Sequence, residues 1–362
     1  MSPGAAAGLD VDLRALRQAQ LPNGAILAST SFATYRYSWF RDGAFSAYAL
    51  DLCGEHERAA GFHAWAASVV EARAQRLVRA AAVARDGLIP DEGDLLHARY
   101  TPAGQEGEEH WLNHQLDGSG AWLWSVAEHA RLSRRNLPSA VRRAAAAVAR
   151  YLEALASLPC ADCWEENPGG RHPSSLAAVA AGLRAAARTG ICESGARRAE
   201  DLVCDLRAQA VGGFLPKSVG NKEVDSNLLW IGAPWEILAP DDPLWVATLG
   251  RIRAELRRPG GGVHRYLADT YYGGGEWILL AGWLAINLLR VGEDDEAEGL
   301  GRWVESARRS DGALPEQLTA HALHPMSVAD WVSRWGPVAT PLTWSHATQL
   351  TLRVVSDRSP WR

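Results

Sequence analysis

The sequence predicts an all-α chain closed into an (α/α)6 toroid of about twelve helices, on three observations. Segments with the apolar spacing of amphipathic helices follow one another in pairs from end to end. Almost no stretch alternates apolar and polar residues as a strand would. The longer polar loops recur before every second helix. A closed ring of six hairpins satisfies all three, because each inner helix buries apolar surface on both sides while alternate loops gather at one rim. An open solenoid is the alternative, but the repeats share no consensus.

Taken in order, Asp10 to Gln20 has the spacing of a short helix, and Pro22-Asn23-Gly24 makes a turn. A loop-like stretch from Ala25 to Trp39 leads through Arg41-Asp42-Gly43 into a helical run at Ala44–Leu52, which Gly54 ends. Glu55–Ala82 reads as one long amphipathic helix that completes a hairpin. Asp86 to Gly120 is an excursion rich in Gly, Pro and acidic residues, of the kind that carries function. Helices resume at Ala121–Ser133 and, after Pro138, at Ser139–Leu158. The loop with Asp162-Cys163-Trp164-Glu165-Glu166 follows, then the pair Ser174–Thr189 and Glu193–Ala210. Loop Val211–Asp225 precedes a pair at Ser226–Leu238 and Pro243–Arg258. Gly260-Gly261-Gly262 opens a polar aromatic loop through Asp269-Thr270-Tyr271-Tyr272-Gly273, with helices near Glu276–Leu289 and Asp294–Arg309 after it. The last loop, Asp311–Pro341, leads to a closing helix at Leu342–Val355.

Composition narrows the function classes. Hydrophobic residues at 47% and charged residues at 22% describe an ordinary globular protein with a sizeable core. The net charge of -5 comes from 37 basic and 42 acidic residues in short alternations, with no basic stripe for a phosphate backbone, so nucleic acid is not the partner expected. No apolar run reaches the roughly 18 residues of a membrane span. The N-terminal MSPGAAAGLDVDLRAL lacks the basic start and apolar stretch of a signal peptide, which leads to the expectation of a cytoplasmic protein. Five cysteines, an odd number, argue against a disulfide framework; Cys160 and Cys163 form a C-x-x-C without a second pair, so buried thiols are expected there rather than a metal or redox site. No cofactor or metal is expected, and oligomeric state has no signature in the sequence.

Tryptophan is the unusual count, at 16 against 8 Tyr and 5 Phe. Indole offers a large flat face and a polar N–H edge, a combination suited to stacking on sugar rings; four or five are expected at a ligand site and the rest in the core. The recurrent loops hold Tyr35, Trp39, Arg41 and Asp42; Trp111, Gln115 and Asp117; Trp164, Glu165 and Glu166; Asp225; Arg265, Asp269 and Trp277; Glu316 and Gln317; and Trp344, Ser345 and His346. Carboxylate–Arg pairs offer acceptors and donors to hydroxyl groups, and aromatic faces cover the C–H side of a ring, so an oligosaccharide is the expected partner. Glu165 and Glu316, from well-separated loops, would then supply the acid and base of glycoside hydrolysis.

The run Tyr35-Arg36-Tyr37-Ser38-Trp39-Phe40-Arg41-Asp42-Gly43 resembles the motif that opens the glucoamylase-type catalytic domains of glycoside hydrolase family 15. The resemblance continues in family order through Gln115-Leu116-Asp117-Gly118, Asp162-Cys163-Trp164-Glu165-Glu166, Arg265-Tyr266-Leu267-Ala268-Asp269-Thr270-Tyr271-Tyr272, Leu314-Pro315-Glu316-Gln317 and Pro341-Leu342-Thr343-Trp344-Ser345-His346-Ala347. It implies an (α/α)6 barrel and an exo-acting, inverting enzyme that releases β-glucose from non-reducing ends. It assigns Glu165 as general acid and Glu316 as general base, with Arg41 and Asp42 holding the terminal glucose. It makes Tyr35, Trp111, Glu166, Arg265 and Trp344 further sugar contacts. Trp39, Gln115, Asp117, Trp164 and Asp269 join them as substrate-binding candidates. An inverting pair leaves room for a water, with carboxyls roughly 6.5–9.5 Å apart.

Many bacterial relatives carry a β-sandwich ahead of the barrel; here the first motif begins by Tyr35, so a single catalytic domain over 1–362 is expected, without a carbohydrate-binding module. Such a compact form is similar to stand-alone family members that cleave isomaltose-type α-1,6 links. Phe40 stands where the family commonly has Pro. Bland alternatives stay beside these: Glu165 and Glu166 as helix-start acids, Arg41-Asp42 as a surface ion pair, Gln115 and Asp117 as loop-ordering groups, His264 and His346 as structural hydrogen-bonders, and Trp277 as core. A glucoamylase-type α-1,4 enzyme, a trehalase, and a non-catalytic sugar-binding protein are the competing functions.

Overall fold

The computed structural model describes residues 3–258 and 261–358; Gly260, the first glycine of the expected triplet, lies outside the described residues. Fourteen α-helices occur among them: α1 (Pro3–Ala19), α2 (Phe40–Leu52), α3 (His56–Glu71), α4 (Ala74–Arg85), α5 (Asp117–Ser133), α6 (Ser139–Leu155), α7 (Pro173–Arg188), α8 (Gly195–Ala208), α9 (Leu229–Gly232), α10 (Pro243–Glu255), α11 (Ile278–Arg290), α12 (Asp294–Ser306), α13 (Met326–Trp335) and α14 (Thr343–Arg358). Helices α2, α5, α7, α9, α11 and α14 pack each on the next, and α14 returns to α2, which closes an inner ring of six. Outside it, α1 packs on α14, α3 on α2, α6 and α8 on α7, and α12 on α11.

Side-chain chemistry explains which helices go inside. Every residue of α11 from Ile278 to Leu288 is buried, and so is Pro173–Leu183 of α7. The outer α8 and α12 bury only a stripe: Gly195, Ala199, Leu202 and Leu206 in one, Ala297, Leu300 and Val304 in the other. A helix apolar on all sides must be surrounded, while one with a single stripe can face water. Inner neighbours also approach closely: a Cβ on Gly120 of α5 would stand 2.5 Å from the Ala178 carbonyl of α7, and one on Gly182 of α7 2.5 Å from the Gly120 oxygen.

The expected ring is present, with two helices beyond twelve. The long helix expected at Glu55–Ala82 is two, α3 and α4, separated at Ala72 and Arg73. Arg73 leaves the helical region there (φ -116, ψ 10) and holds the long excursion through Glu106 (2.8 Å) and the Gly104 carbonyl (3.0 Å). The second addition, α13, lies in the last loop, which reads as irregular because its Gly and Pro flanks outweigh ten residues of helical spacing. The helix expected at Ser226–Leu238 shrinks to a 3-10 turn and α9, because Pro234 holds Ala233 extended (φ -138, ψ 133).

Two other boundaries shift toward the site. Helix α2 begins at Phe40 and α5 at Asp117, so Arg41, Asp42 and Asp117 stand on first helical turns rather than in loops. Phe40 is buried there against Trp65, Tyr100 and Trp122. Two-residue ladders, β1 (Ser38–Trp39) with β2 (Arg99–Tyr100) and β3 (Glu276–Trp277) with β4 (Gln317–Leu318), pin the segments entering α2 and α11. Strands this short carry no alternation to read in a sequence.

Candidate active site

The N-terminal ends of the inner helices and the loops before them surround one cavity of about 320 Å³. That is the lower end of the range for small-molecule sites. Its lining includes Tyr35, Trp39, Arg41, Asp42, Trp111, Trp164, Glu165, Glu166, Arg265, Glu316 and Trp344 from the candidates read in the sequence. Gln115, Asp117 and Asp269, also read as substrate-binding, stand behind the wall. Gln115 and Asp117 accept from Arg41 Nη1 at 2.9 and 3.0 Å, and Asp269 takes both Nε and Nη2 of Arg265 at 2.7 and 2.5 Å. They fix the two guanidinium planes instead of facing the cavity.

Seven tryptophans line the cavity, more than the four or five expected: Trp39, Trp111, Trp164, Trp277, Trp331, Trp335 and Trp344. Trp277, read as core from a helical pattern, lies on β3 and joins this wall while also packing on Trp164 (5.3 Å between rings). Several polar atoms on lining residues have no hydrogen-bond partner among the described residues: Arg41 Nε, Asp42 Oδ2, Glu316 Oε2 and the indole nitrogens of Trp111, Trp277 and Trp344. Arg41 Nε and Asp42 Oδ2 lie 3.6 Å apart as an ion pair, whereas Glu316 Oε2 and the three indole nitrogens are open to a polar ligand, since buried polar atoms are normally paired.

Glu165 sits in a tight turn built by Asp162, a residue to which the sequence assigned no chemistry. Asp162 Oδ1 accepts the Trp164 and Glu166 backbone N–H groups, both at 3.0 Å, and Oδ2 accepts from the Asn167 amide at 3.2 Å. These bonds keep Glu165 at φ 62, a left-handed conformation that is uncommon for a residue with a Cβ and persists where surroundings over-determine it. The Glu165 carboxylate receives Trp39 Nε1 at 2.9 Å and Arg41 Nη2 at 3.4 Å. Beneath the turn, Lys217 Nζ meets Asp225 at 2.8 Å, Asp162 at 3.3 Å and Glu166 at 3.7 Å, and Asp225 in turn accepts from Trp164 Nε1 at 3.1 Å.

Glu316 reaches the same cavity from the residue before β4. Its backbone N–H donates to the Ala339 carbonyl (2.9 Å) and its carbonyl accepts from Ile278 (3.1 Å), which anchors it between the last loop and α11. Tyr35 OH donates to Glu316 Oε1 at 3.1 Å, and the Tyr271 hydroxyl lies 2.7 Å from that of Tyr35. The neighbours of Glu165 and Glu316 are thus separate sets. Glu166 is held by Arg265 Nη2 (3.2 Å) and the Tyr266 hydroxyl (2.5 Å).

Burial raises the proton affinity of three carboxyls that line the cavity. Glu165 is shifted up by desolvation against the opposing pull of Arg41, Trp39 and Gln115. Desolvation pushes Glu316 up to about 8 against Tyr35 and Arg265, and Asp42 to about 7 against Arg41. The C-x-x-C pair behaves as expected of buried thiols: burial pushes Cys160 up to about 12, and Cys163 receives a hydrogen bond from Asn227. His264 and His346 are structural, the first bonded to the Gly274 carbonyl (2.9 Å), the second between Asp12 (2.7 Å) and the Leu314 N–H (3.0 Å).

Other contributors carry weaker signals in the sequence. Tyr271 stands out there only as part of a motif. Trp331 and Trp335 lie four apart on α13, a spacing that puts both rings on one helix face and was the available signal. Lys217 is one of only two lysines in an arginine-dominated chain, and that contrast was its signal.

Comparisons with known proteins agree with the geometry. Residues 13–309 match the sequence profile described as Glycosyl hydrolases family 15. Glu316 and Trp344 lie beyond that match, so their placement rests on the cavity itself. The chain is 38% identical over 338 residues to the isomaltose glucohydrolase of Kribbella flavida, covering 91% of this chain and 87% of that one. A solved wild-type glycosidase superimposes with a TM-score of 0.92 at 34% identity, covering 99% of this chain and 98% of that one; one of its variants was solved in complex with glucose. The glucoamylase of Saccharomycopsis fibuligera shares the fold, with a TM-score of 0.72 at 15% identity over 98% of this chain and 96% of that one.

Proposed function

The chain belongs to glycosyl hydrolases family 15, and from that membership we propose that it works as an inverting exo-α-glucosidase on short glucosides, with isomaltose-type α-1,6 links as its substrate. One observation carries the chemistry: Glu165 and Glu316 line a single small cavity, each held by its own donors. Glu165 gives its proton to the glycosidic oxygen as the bond to the anomeric carbon breaks. Glu316 takes a proton from a water that attacks that carbon on the other face, so the α-glucoside leaves as β-glucose. Arg41 and Asp42 hold hydroxyls of the terminal glucose, Glu166 and Arg265 hold others, and the indoles of Trp39, Trp164 and Trp344 cover the ring.

Support for a short substrate comes from the size of the cavity and from α13, whose Trp331 and Trp335 stand at its edge, Trp335 6.0 Å from Trp111. In this reading a second glucose stacks among Trp111, Trp331 and Trp335, and α13 limits the chain length. Residues 1–362 act as one catalytic domain in this reading, supported by the return of α14 to α2. A cytoplasmic location is part of the same proposal and fits the buried thiols of Cys160 and Cys163; no helix among the described residues is long and apolar enough to cross a membrane.

The test is glucose release from isomaltose, maltose, trehalose and longer dextrans, with the anomer followed by NMR. Isomaltose is expected to give the highest kcat/KM and β-glucose as first product. A preference for trehalose or maltose overturns the linkage, α-glucose overturns inversion, and no glucose from any substrate leaves a sugar-binding protein instead.

The pH profile is a second expected result. The reacting form has Glu316 without its proton, so that it can take one from water, and Glu165 with a proton to give, so kcat/KM falls on both sides of the range spanned by the pair's two apparent pKa values. Desolvation shifts both carboxyls upward, Glu316 to about 8, so the maximum should lie above the ordinary carboxylate range of about 4. A maximum near pH 4 would show that the walls do not desolvate the pair.

A further inference from the structure

Away from the catalytic rim, three buried side chains from three helices meet. Asp51 lies ten residues after Arg41 on α2, roughly 15 Å along the helix at 1.5 Å per residue, and His129 lies twelve residues after Asp117 on α5. His63 comes from α3. Their exposures are 3%, 5% and 1%, and their donor atoms all lie within 4.8 Å of one another. His129 Nδ1 is 3.0 Å from both Asp51 oxygens, and His56 Nδ1, at the start of α3, is 2.8 Å from Asp51 Oδ1.

His63 is the informative member. Neither of its ring nitrogens has a hydrogen-bond partner among the described residues, although the ring is almost wholly buried and 5.2 Å from that of His129. A buried polar group without a partner is destabilising, and a mere packing role is filled better by Phe or Leu. Helices α2 and α5 both run toward this end with their C-termini, where the helix dipole favours a cation.

We propose that Asp51, His63 and His129 bind a borderline divalent transition metal such as Zn2+, which ties α2, α3 and α5 together at the end of the ring opposite the catalytic cavity. Imidazoles with one carboxylate suit Zn2+, whereas Mg2+ and Ca2+ prefer oxygen donors. A zinc tetrahedron with bonds near 2.0–2.1 Å has edges of about 3.4 Å, and the three donors already stand within 4.8 Å of one another. The role is structural, because nothing at this end reaches the substrate.

The test uses purified, chelator-dialysed enzyme titrated with Co2+ and, separately, with Zn2+. Visible Co2+ d–d absorption of tetrahedral intensity, saturating at one ion per chain, is expected, together with a Zn2+-dependent rise in thermal midpoint that EDTA reverses. In His63→Ala both responses should be lost while the rate of glucose release at room temperature stays unchanged; His129→Asn is the second variant, and the spectrum of the unaltered enzyme needs neither. Absence of both responses in the unaltered enzyme, or the same responses in His63→Ala, overturns the site.

Discussion

Replacing Glu165 by Gln is expected to lower kcat for isomaltose roughly 10²–10⁴-fold, the range for removing a positioned general acid, while glucose still binds. The amide keeps the shape of the side chain and the bond partners Trp39 and Arg41 within reach, but it has no proton to give. The two carboxylates are separated by their dependence on the leaving group. An α-glucosyl fluoride departs without protonation, so Glu165→Gln should hydrolyse it at close to the unaltered rate, whereas Glu316→Gln should be slow on both substrates because the attacking water still needs a base. Equal losses on fluoride and disaccharide in both variants would mean that the roles are not divided in this way. A Glu165→Gln enzyme with full activity on isomaltose would remove the residue from the mechanism altogether.

The second large effect lies outside the lining of the cavity. Lys217 is 5% exposed and is shared by Asp162, Asp225 and Glu166, with its ammonium 3.5 Å from the centre of the Tyr266 ring. Lys217→Met is expected to cost about 3–5 kcal/mol of stability, because it leaves buried carboxylates without their counter-charge. It should also cut kcat, since Asp162 shapes the turn that holds Glu165 and Asp225 holds the Trp164 indole. Urea unfolding and steady-state rates check the two parts. Adding Asp225→Asn should restore part of the lost stability, as it removes one uncompensated charge. An unchanged urea midpoint in Lys217→Met would show that the three carboxylates are neutralised some other way.

Much of this molecule was legible in its sequence, for identifiable reasons. Periodicity distinguishes inner helices from outer ones because burial on all sides forces apolar residues on all sides, as in α11, while a single stripe suffices in α8. The loops before alternate helices could be grouped at one rim because a ring of hairpins has only two ends. Glu165, Glu316, Arg41 and Asp42 could be named since charged and aromatic residues in Gly- and Pro-bounded loops have few structural reasons to be there.

What the sequence by itself determined, then, is the ring, its rim and the types of group that face inward. Tertiary structure decided which of these groups touch the cavity and which stand behind it. Gln115, Asp117 and Asp269 read like sugar contacts, yet they hold Arg41 and Arg265 from the rear, because a side chain's direction depends on where its helix begins and what it packs against. Asp162 fixes the Glu165 turn through bonds within its own loop, and Lys217 braces Asp162 from a distant loop, a contact that no local spacing encodes. The same holds for Asp51, His63 and His129, which three separate helices bring together. Local pattern reports what a residue's own helix or loop needs, and long-range packing alone sets which distant partner it meets.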